Sequence, residues 1–191
     1  MLANISMITL AYLMGSLSSA IIVCRLLGLP DPRGEGSGNP GATNVLRLGG
    51  KKAAIITLVG DFLKGLIPVL IAASLGISED IQLLVAIAAF LGHLYPVFFS
   101  FKGGKGIATT AGVLFGLDWR IGLAALLTWI AIYKWQKISS LAGLSSAAAT
   151  PLLILLITGS ATFTCFGLAL AALVFWRHRS NIAKLRAGTE T

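Results

Sequence analysis

The chain has 191 residues, of which 56% are hydrophobic and only 12% are charged. This composition excludes an ordinary soluble domain and leaves room for a bundle of several membrane-spanning helices. The net charge of +8 does not indicate nucleic-acid binding, because the basic residues lie in short loops between apolar stretches and membrane topology explains them.

Seven apolar stretches are predicted to be helices, since a helix needs about twenty apolar residues to cross the hydrocarbon core, or fewer when its ends snorkel. They cover residues 1–24, 53–75, 81–101, 107–117, 121–133, 138–157 and 161–176. The fourth and fifth are short, and a re-entrant hairpin formed by them would leave five full spans. We prefer seven, because Lys102 and Lys105 precede this pair, Lys134 and Lys137 follow it, and Asp118 marks an external turn between the two.

Basic loops alternate with acidic ones, and this asymmetry predicts the orientation of the helices. Nearly all Lys and Arg residues fall within residues 25–52, 102–105, 134–137 and 177–186. Loops rich in Lys and Arg face the cytoplasm, so the N-terminus is expected outside and the C-terminus in the cytoplasm. The lack of a basic residue before Arg25 argues against a cleaved signal peptide. We therefore predict an all-α integral membrane protein of about seven transmembrane helices, forming a single polytopic domain over residues 1–191.

The segment 28–50 is too rich in glycine and side-chain donors to be a simple connector. It contains the run Gly36-Ser37-Gly38-Asn39-Pro40-Gly41-Ala42-Thr43-Asn44, followed by Arg47. The glycine spacing matches a dinucleotide-binding fingerprint, but that motif needs a preceding strand, and here an apolar helix precedes it. Glycines still let backbone N–H groups approach an anion, and an arginine suits phosphate. We predict phosphate binding here in preference to a flexible turn with a solvated arginine.

A second glycine-rich loop, Phe101-Lys102-Gly103-Gly104-Lys105-Gly106, directly precedes a predicted helix. The N-terminal amides and dipole of that helix favour an anion, and a lysine reinforces the attraction. The loop is not a Walker A motif, because Gly106 rather than Ser or Thr follows Lys105. Taken alone, anion binding and a flexible positive loop explain it equally well.

Two further pairs of polar residues share a helix face. Asp61 and Lys64 lie in the second apolar stretch, where they either neutralise each other as a structural pair or let Lys64 reach toward the cytoplasmic face. His178 and Asn181 follow the last stretch, and a histidine titrates near neutrality, which suits proton transfer. His93 lies in an apolar stretch and is expected to be structural.

Four segments together resemble the bacterial acyl-phosphate:glycerol-3-phosphate acyltransferases of the PlsY type. They are GSGNPGATNVLR at residues 36–47, DFLKG at 61–65, GHLYPVFFSFKGGKGIAT at 92–109 and RHRSNIAKLRAGTE at 177–190. The resemblance implies a multi-pass enzyme of the bacterial cytoplasmic (inner) membrane that transfers a fatty acyl group from acyl phosphate to the 1-hydroxyl of glycerol 3-phosphate. Lysophosphatidic acid and phosphate would be the products, as in phospholipid biosynthesis. No metal, cofactor, acyl-CoA or acyl carrier protein would be needed.

We assign the active site to the cytoplasmic face, in loops 28–52 and 99–106 and tail 177–191. The predicted catalytic residues are Ser37, Lys105, His178 and Asn181. The predicted substrate-binding residues are Gly38, Asn39, Thr43, Asn44, Arg47, Lys64, Gly103, Gly104 and Arg177. In this hypothesis the first loop cradles the acyl phosphate, Lys105 offsets charge on the transferring group, and the arginines hold glycerol 3-phosphate. The histidine and asparagine of the tail orient or deprotonate the attacking hydroxyl.

Other functions remain open from sequence alone. A transporter or channel for an anionic, phosphate-containing metabolite would also have basic cytoplasmic loops, but the polar motifs crowd one face and no internal repeat is visible. A non-catalytic membrane subunit leaves the donor-rich loop unexplained. Within the enzyme hypothesis, Ser37 as a covalent nucleophile is the weaker alternative to direct transfer. Cys24 and Cys165 are interpreted as small apolar residues, and no metal site is predicted.

Overall fold

The computed structural model describes residues 1–190, which fold into nine α-helices and one 3-10 turn with no β-strand among them. The helices are α1 Leu2–Gly15, α2 Ser19–Leu26, α3 Ala42–Ser74, α4 Glu79–Leu94, α5 Ile107–Leu117, α6 Trp119–Gln136, α7 Ser139–Thr158, α8 Ala161–Arg177 and α9 Arg179–Arg186. Helices α1 to α5 form one compact unit and α6 to α9 another. The all-helical class is confirmed over these residues, and the single domain stays a prediction.

The first predicted span is broken into α1 and α2, which meet at an angle of 44°. At the break, Ser16 donates its hydroxyl to the carbonyl of Tyr12 at 2.8 Å, a local bond that competes with regular helix geometry. Gly15 lies directly against the backbone of Ala89 in α4, where a Cβ would overlap the Ala89 carbonyl. The break therefore lies next to a close contact between α1 and α4.

Helix α3 begins at Ala42, inside the segment that the sequence analysis treated as a loop. Residues 42–49 are helical because Val45 is fully buried in an apolar cluster, together with residues of α2 and with Ala53. Gly50, with φ of +74°, then kinks the helix before it continues through the second predicted span. The loop assignment was wrong for residues 42–49, since its glycine and asparagine content hid the apolar periodicity.

Helices α3 and α5 approach each other closely at glycine positions. A Cβ on Gly65 would overlap the carbonyl of Thr109, and one on Gly112 would overlap the carbonyl of Phe62. Gly116 lies against the side chain of Val69 in the same way. The two glycines of the G-x-x-x-G in α5 thus allow a close contact with α3.

In the second unit, Asp118 caps the N-terminus of α6. Its carboxylate accepts hydrogen bonds from the backbone N–H of Arg120 at 2.8 Å and from the guanidinium of the same residue. These bonds to Arg120 hold the pKa of Asp118 below its usual range. Helix α8 packs on α7 where Gly167 meets Pro151, and it meets α9 at an angle of 65°.

Several helices have the length and composition needed to span a bilayer. Among residues 1–190, Ala42–Ser74, Glu79–Phe99 and Ser139–Thr158 qualify singly, and counting each bent pair as one span raises the number to five. The helix Ile107–Leu117 is apolar but shorter. Each of the seven predicted stretches contains a helix, as an integral membrane protein requires.

Candidate active site

Asn44, in the first turn of α3, holds the first glycine loop (residues 28–41) in place. Its side chain is buried, and its amide oxygen accepts a hydrogen bond from the backbone N–H of Ser37 at 3.0 Å. Its amide nitrogen donates to the carbonyls of Pro32 and Glu35 at 2.9 and 3.0 Å. Both amide hydrogens are therefore used inside the protein, and Asn44 shapes the loop from behind.

Glycines in this loop have conformations or surroundings that exclude a side chain. Gly36 and Gly38 have φ of +58° and +67°, in the left-handed region that other residues rarely adopt. A Cβ on Gly36 would also overlap the amide oxygen of Asn44. Ser37, between the two glycines, is consequently exposed at the tip of a tightly held turn.

Replacing Asn44 with aspartate is expected to destabilise the protein more than replacing it with alanine. Alanine removes three hydrogen bonds and leaves buried backbone groups unpaired, at a cost of about 1–3 kcal/mol in the free energy of unfolding. Aspartate in addition places a carboxylate oxygen, which cannot donate a hydrogen bond, against the carbonyl oxygens of Pro32 and Glu35, and these oxygens repel it. Thermal unfolding in detergent measures both. An aspartate variant as stable as the original would contradict the bonding described for this side chain.

The second glycine loop (residues 99–106) packs closely against the C-terminal end of α4. Gly104 donates its N–H to the carbonyl of His93 at 3.2 Å, and a Cβ on Gly104 would overlap the imidazole of His93. Gly103 lies against the carbonyls of the same residue and of Leu94. Ser100 and Phe101 both have positive φ, which is uncommon for residues with side chains. The loop thus places half-buried Lys105 two residues before the start of α5.

The two glycine loops contact each other. Arg33 pairs with Asp31 at 2.7 Å and also donates from Nη1 to the carbonyl of Phe99 at 3.1 Å. Hydrogen bonding to Arg33 holds the pKa of Asp31 below its usual range. Gly104 also lies against the carbonyl of Pro40. The loop that contains Ser37 and the loop that contains Lys105 are therefore neighbours in the first unit.

A buried ionic cluster, formed by Asp61, Lys64 and His93, lies behind the second loop. The ammonium of Lys64 is 2.9 Å from Oδ1 of Asp61 and donates to the carbonyl of Leu17 at 2.8 Å. Nδ1 of His93 is 3.7 Å from the same carboxylate oxygen. All three side chains are buried. Of the two sequence interpretations, the structural pair is observed, and Lys64 as a substrate ligand stays a prediction.

In the second unit, His178 directly follows the last residue of α8, and its side chain is buried. Its Nδ1 is 2.8 Å from the carbonyl of Val174, and a carbonyl oxygen can only accept. Nδ1 therefore has the proton of the neutral ring, and Nε2 is the nitrogen with the lone pair. This is the tautomer that a proton acceptor at Nε2 requires.

Glu190 links the tail to the start of α7. Its Oε1 accepts a hydrogen bond from the hydroxyl of Ser140 at 2.5 Å and another from the amide nitrogen of Asn181. Sequence reasoning did not assign Glu190 to the site. The available signal was an acidic residue at the end of a tail that is otherwise basic.

Comparison with known proteins identifies the family. The family model described as glycerol-3-phosphate acyltransferase matches residues 5–188 of the 191. The chain belongs to that family. A glycerol-3-phosphate acyltransferase of Thioalkalivibrio sulfidiphilus is 57% identical over 94% of this chain and 89% of its own length. One from Methylococcus capsulatus is 56% identical over 96% and 93%.

Two solved structures have the same fold. Both are of PlsY (YgiH), described as an integral membrane glycerol 3-phosphate acyltransferase, in a glycerol 3-phosphate form and a lysophosphatidic acid form. Their TM-scores are 0.94 and 0.92 at 39% and 38% identity, covering 99% of this chain and 94% of theirs. The predicted family resemblance and the membrane-protein class are both confirmed.

The predicted site residues are divided between the two units. Those in the first unit are Ser37, Gly38, Asn39, Thr43, Asn44, Arg47, Lys64, Gly103, Gly104 and Lys105. Those in the second are Arg177, His178 and Asn181. The structure brings the two glycine loops together in the first unit and, in the second, joins Asn181 to Glu190 within the tail. Their roles toward a substrate stay predictions.

Proposed function

We propose that the protein transfers a fatty acyl group from acyl phosphate to the 1-hydroxyl of glycerol 3-phosphate, at the bacterial inner membrane. The observation that carries this proposal is the contact between two glycine-rich, cationic loops in a family of glycerol-3-phosphate acyltransferases. The acceptor and product are supported by the described forms of the two solved relatives. The donor is inferred from the sequence resemblance.

The reaction needs one bond to form and one to break. The 1-hydroxyl oxygen of glycerol 3-phosphate attacks the carbonyl carbon of the acyl phosphate, and the bond from that carbon to the phosphate oxygen breaks. Phosphate leaves with the electron pair, and the hydroxyl proton passes to His178 Nε2 or to a phosphate oxygen. Acyl phosphate is a mixed anhydride with a good leaving group, so positioning and charge stabilisation account for most of the rate.

The first glycine loop suits the acyl phosphate. Its left-handed glycines give the backbone the close approach that an oxyanion requires, and exposed Ser37 lies between them. Thr43 is exposed in the first turn of α3, where the helix dipole also favours an anion, and exposed Arg47 lies one turn further along the helix. Asn44 supports the loop from behind, so its contribution to binding is through the loop's shape.

Charge stabilisation is assigned to Lys105, and acceptor binding to the tail. Lys105 lies two residues before α5 begins, where the helix N-terminus adds to its field. Arg47 and Arg177 would each grip a phosphate through a planar guanidinium. His178 and Asn181 would orient the attacking hydroxyl, with Glu190 holding the asparagine amide.

An assay with purified protein tests the proposal. Acyl phosphate and glycerol 3-phosphate together should give equal amounts of free phosphate and lysophosphatidic acid, whereas acyl-CoA or acylated carrier protein should give neither. Uptake of glycerol 3-phosphate into proteoliposomes without any product would favour the transporter instead. Labelled acyl trapped on Ser37 during turnover would replace direct transfer with an acyl-enzyme route.

We also propose that all seven apolar segments cross the membrane, with the N-terminus outside and the C-terminus in the cytoplasm. In a variant lacking Cys24 and Cys165, a cysteine introduced at Arg120 should react with an impermeant maleimide from the outside. A cysteine at Lys52 should react only after the membrane is opened. If α5 and α6 instead form a re-entrant hairpin, position 120 will not be labelled from outside.

A further inference from the structure

We propose that the buried ionic cluster of Asp61, Lys64 and His93 positions the second glycine loop and, through it, Lys105. The proposal rests on the proposed function, because Lys105 matters only if it acts on the transferring group. In this proposal Lys64 fixes the loop instead of binding substrate, and none of the three residues touches the substrate. They are positioning residues, which act by fixing the backbone in front of them.

The cluster is anchored at the break between α1 and α2. Lys64 donates to the carbonyl of Leu17, which lies between the two helices, and pairs at the same time with Asp61 three residues earlier on α3. Charges buried among apolar helices are costly unless they are paired and hydrogen-bonded. Since the lysine has two strong partners at 2.8 and 2.9 Å, the carboxylate of Asp61 is held in one place.

The cluster reaches the second loop through His93. Its Nδ1 lies 3.7 Å from the carboxylate of Asp61, while the opposite edge of the ring lies against Gly104. The backbone carbonyl of His93 also accepts the N–H of Gly104. The imidazole is therefore placed between a fixed carboxylate and the residue directly before Lys105.

A purely structural role explains this arrangement less well. Replacing a buried ion pair by apolar groups of similar volume is often neutral for stability, whereas removing one partner is strongly destabilising. An ion pair kept in a membrane helix thus adds little stability over an apolar pair. The ion pair does fix the orientation of the His93 ring, and through it the position of Lys105. That position matters because a small displacement of a reacting group lowers the rate strongly.

The decisive variant is the neutral pair Asp61→Asn with Lys64→Met, compared with each single change. The single changes should lower the unfolding temperature in detergent, because each leaves one charge buried without its partner. The double variant should recover much of that loss while kcat stays reduced by roughly 10- to 100-fold, with KM for glycerol 3-phosphate close to the original. Hydrogen exchange of the amides of residues 103–106 should be faster in the double variant.

Two substitutions at His93 provide a test that does not depend on the double variant folding. His93→Phe keeps a ring against Gly104 but removes the polar atom that faces Asp61. His93→Asn fills less space but returns a polar atom near the position of Nδ1. If the cluster positions the loop, His93→Asn should have a higher kcat than His93→Phe. If His93 only fills space, His93→Phe should have the higher kcat.

Thr109→Val is the matched control. Thr109 donates to the backbone carbonyl of Asp61 at 3.0 Å within the same α3–α5 interface, and this change leaves all three cluster side chains intact. Its kcat and loop exchange should equal those of the original.

A double variant with full kcat, or one with reduced kcat and unchanged exchange at 103–106, overturns the proposal. Wild-type protein that does not consume acyl phosphate overturns the proposed function, while the exchange comparison still tests the positioning.

Discussion

His178→Ala is expected to lower kcat by on the order of 10²- to 10⁴-fold, the range over which a positioned acid or base contributes. The ring is only 3% exposed, and its bond to the carbonyl of Val174 keeps the proton on Nδ1. Alanine removes the acceptor nitrogen together with the group that orients the attacking hydroxyl. Steady-state kinetics with both substrates measure the loss.

Arg179→Ala is the control for that substitution. Arg179 is the next residue along the chain, it is exposed, and its guanidinium stacks 5.1 Å from the ring centre of Trp176. Its removal should leave kcat nearly unchanged. If His178→Ala retains near-normal activity, His178 has no part in the mechanism.

The pH dependence of turnover distinguishes the two candidate proton acceptors. If His178 accepts the proton, kcat should fall at acidic pH as the ring becomes protonated, and this fall should be absent from the residual activity of His178→Ala. If the same fall persists in the variant, a phosphate oxygen of the substrate is the acceptor. His178 would then serve to orient the hydroxyl.

Lys105→Met is expected to lower kcat by roughly 10²- to 10³-fold, as the loss of a donor aimed at developing charge does in other enzymes. Methionine keeps the length and apolar character of the side chain, so the effect reports the ammonium group. Lys105→Arg should recover part of the activity, because it keeps the charge but presents it as a broad planar fork.

Lys102→Met controls for the general positive charge of the second loop. Lys102 is exposed and lies three residues before Lys105 in the same loop. Its loss should change kcat little, since an exposed charge is screened by salt within about 8–10 Å. Equal losses for the two lysines would mean that the loop acts only through its overall field.

The helical architecture was predictable because it depends on local composition. Stretches of apolar residues between basic and acidic loops gave all seven helical regions. The break after Gly15 was not predictable in this way, because its causes are a hydroxyl that bonds to its own helix and a close approach to Ala89 in α4. The helical start of α3 was hidden for a related reason. Val45 is buried only because apolar residues of α2 pack against it, and the periodicity of a sequence does not show which other helix will pack against a residue.

The site was predictable to the extent that its chemistry is concentrated in short motifs. Glycine and lysine content identified both loops, and the structure places them side by side. The residues that hold the loops were not recognised, because each of them also suited a simpler role. Arg33 was one positive charge among many, yet it bridges Asp31 and the carbonyl of Phe99. Asn44 was counted as a ligand for the substrate, yet its amide faces the protein.

The break between α1 and α2 has a consequence for how the chain is made. Inside a bilayer an unsatisfied carbonyl costs several kcal/mol, and the one at Leu17 is satisfied by a lysine 47 positions later. The N-terminal segment therefore becomes more stable in lipid once α3 has been synthesised and has docked. We expect nascent chains that stop short of residue 64 to be less firmly retained in the membrane than chains that include it, which carbonate extraction of truncated translation products would reveal.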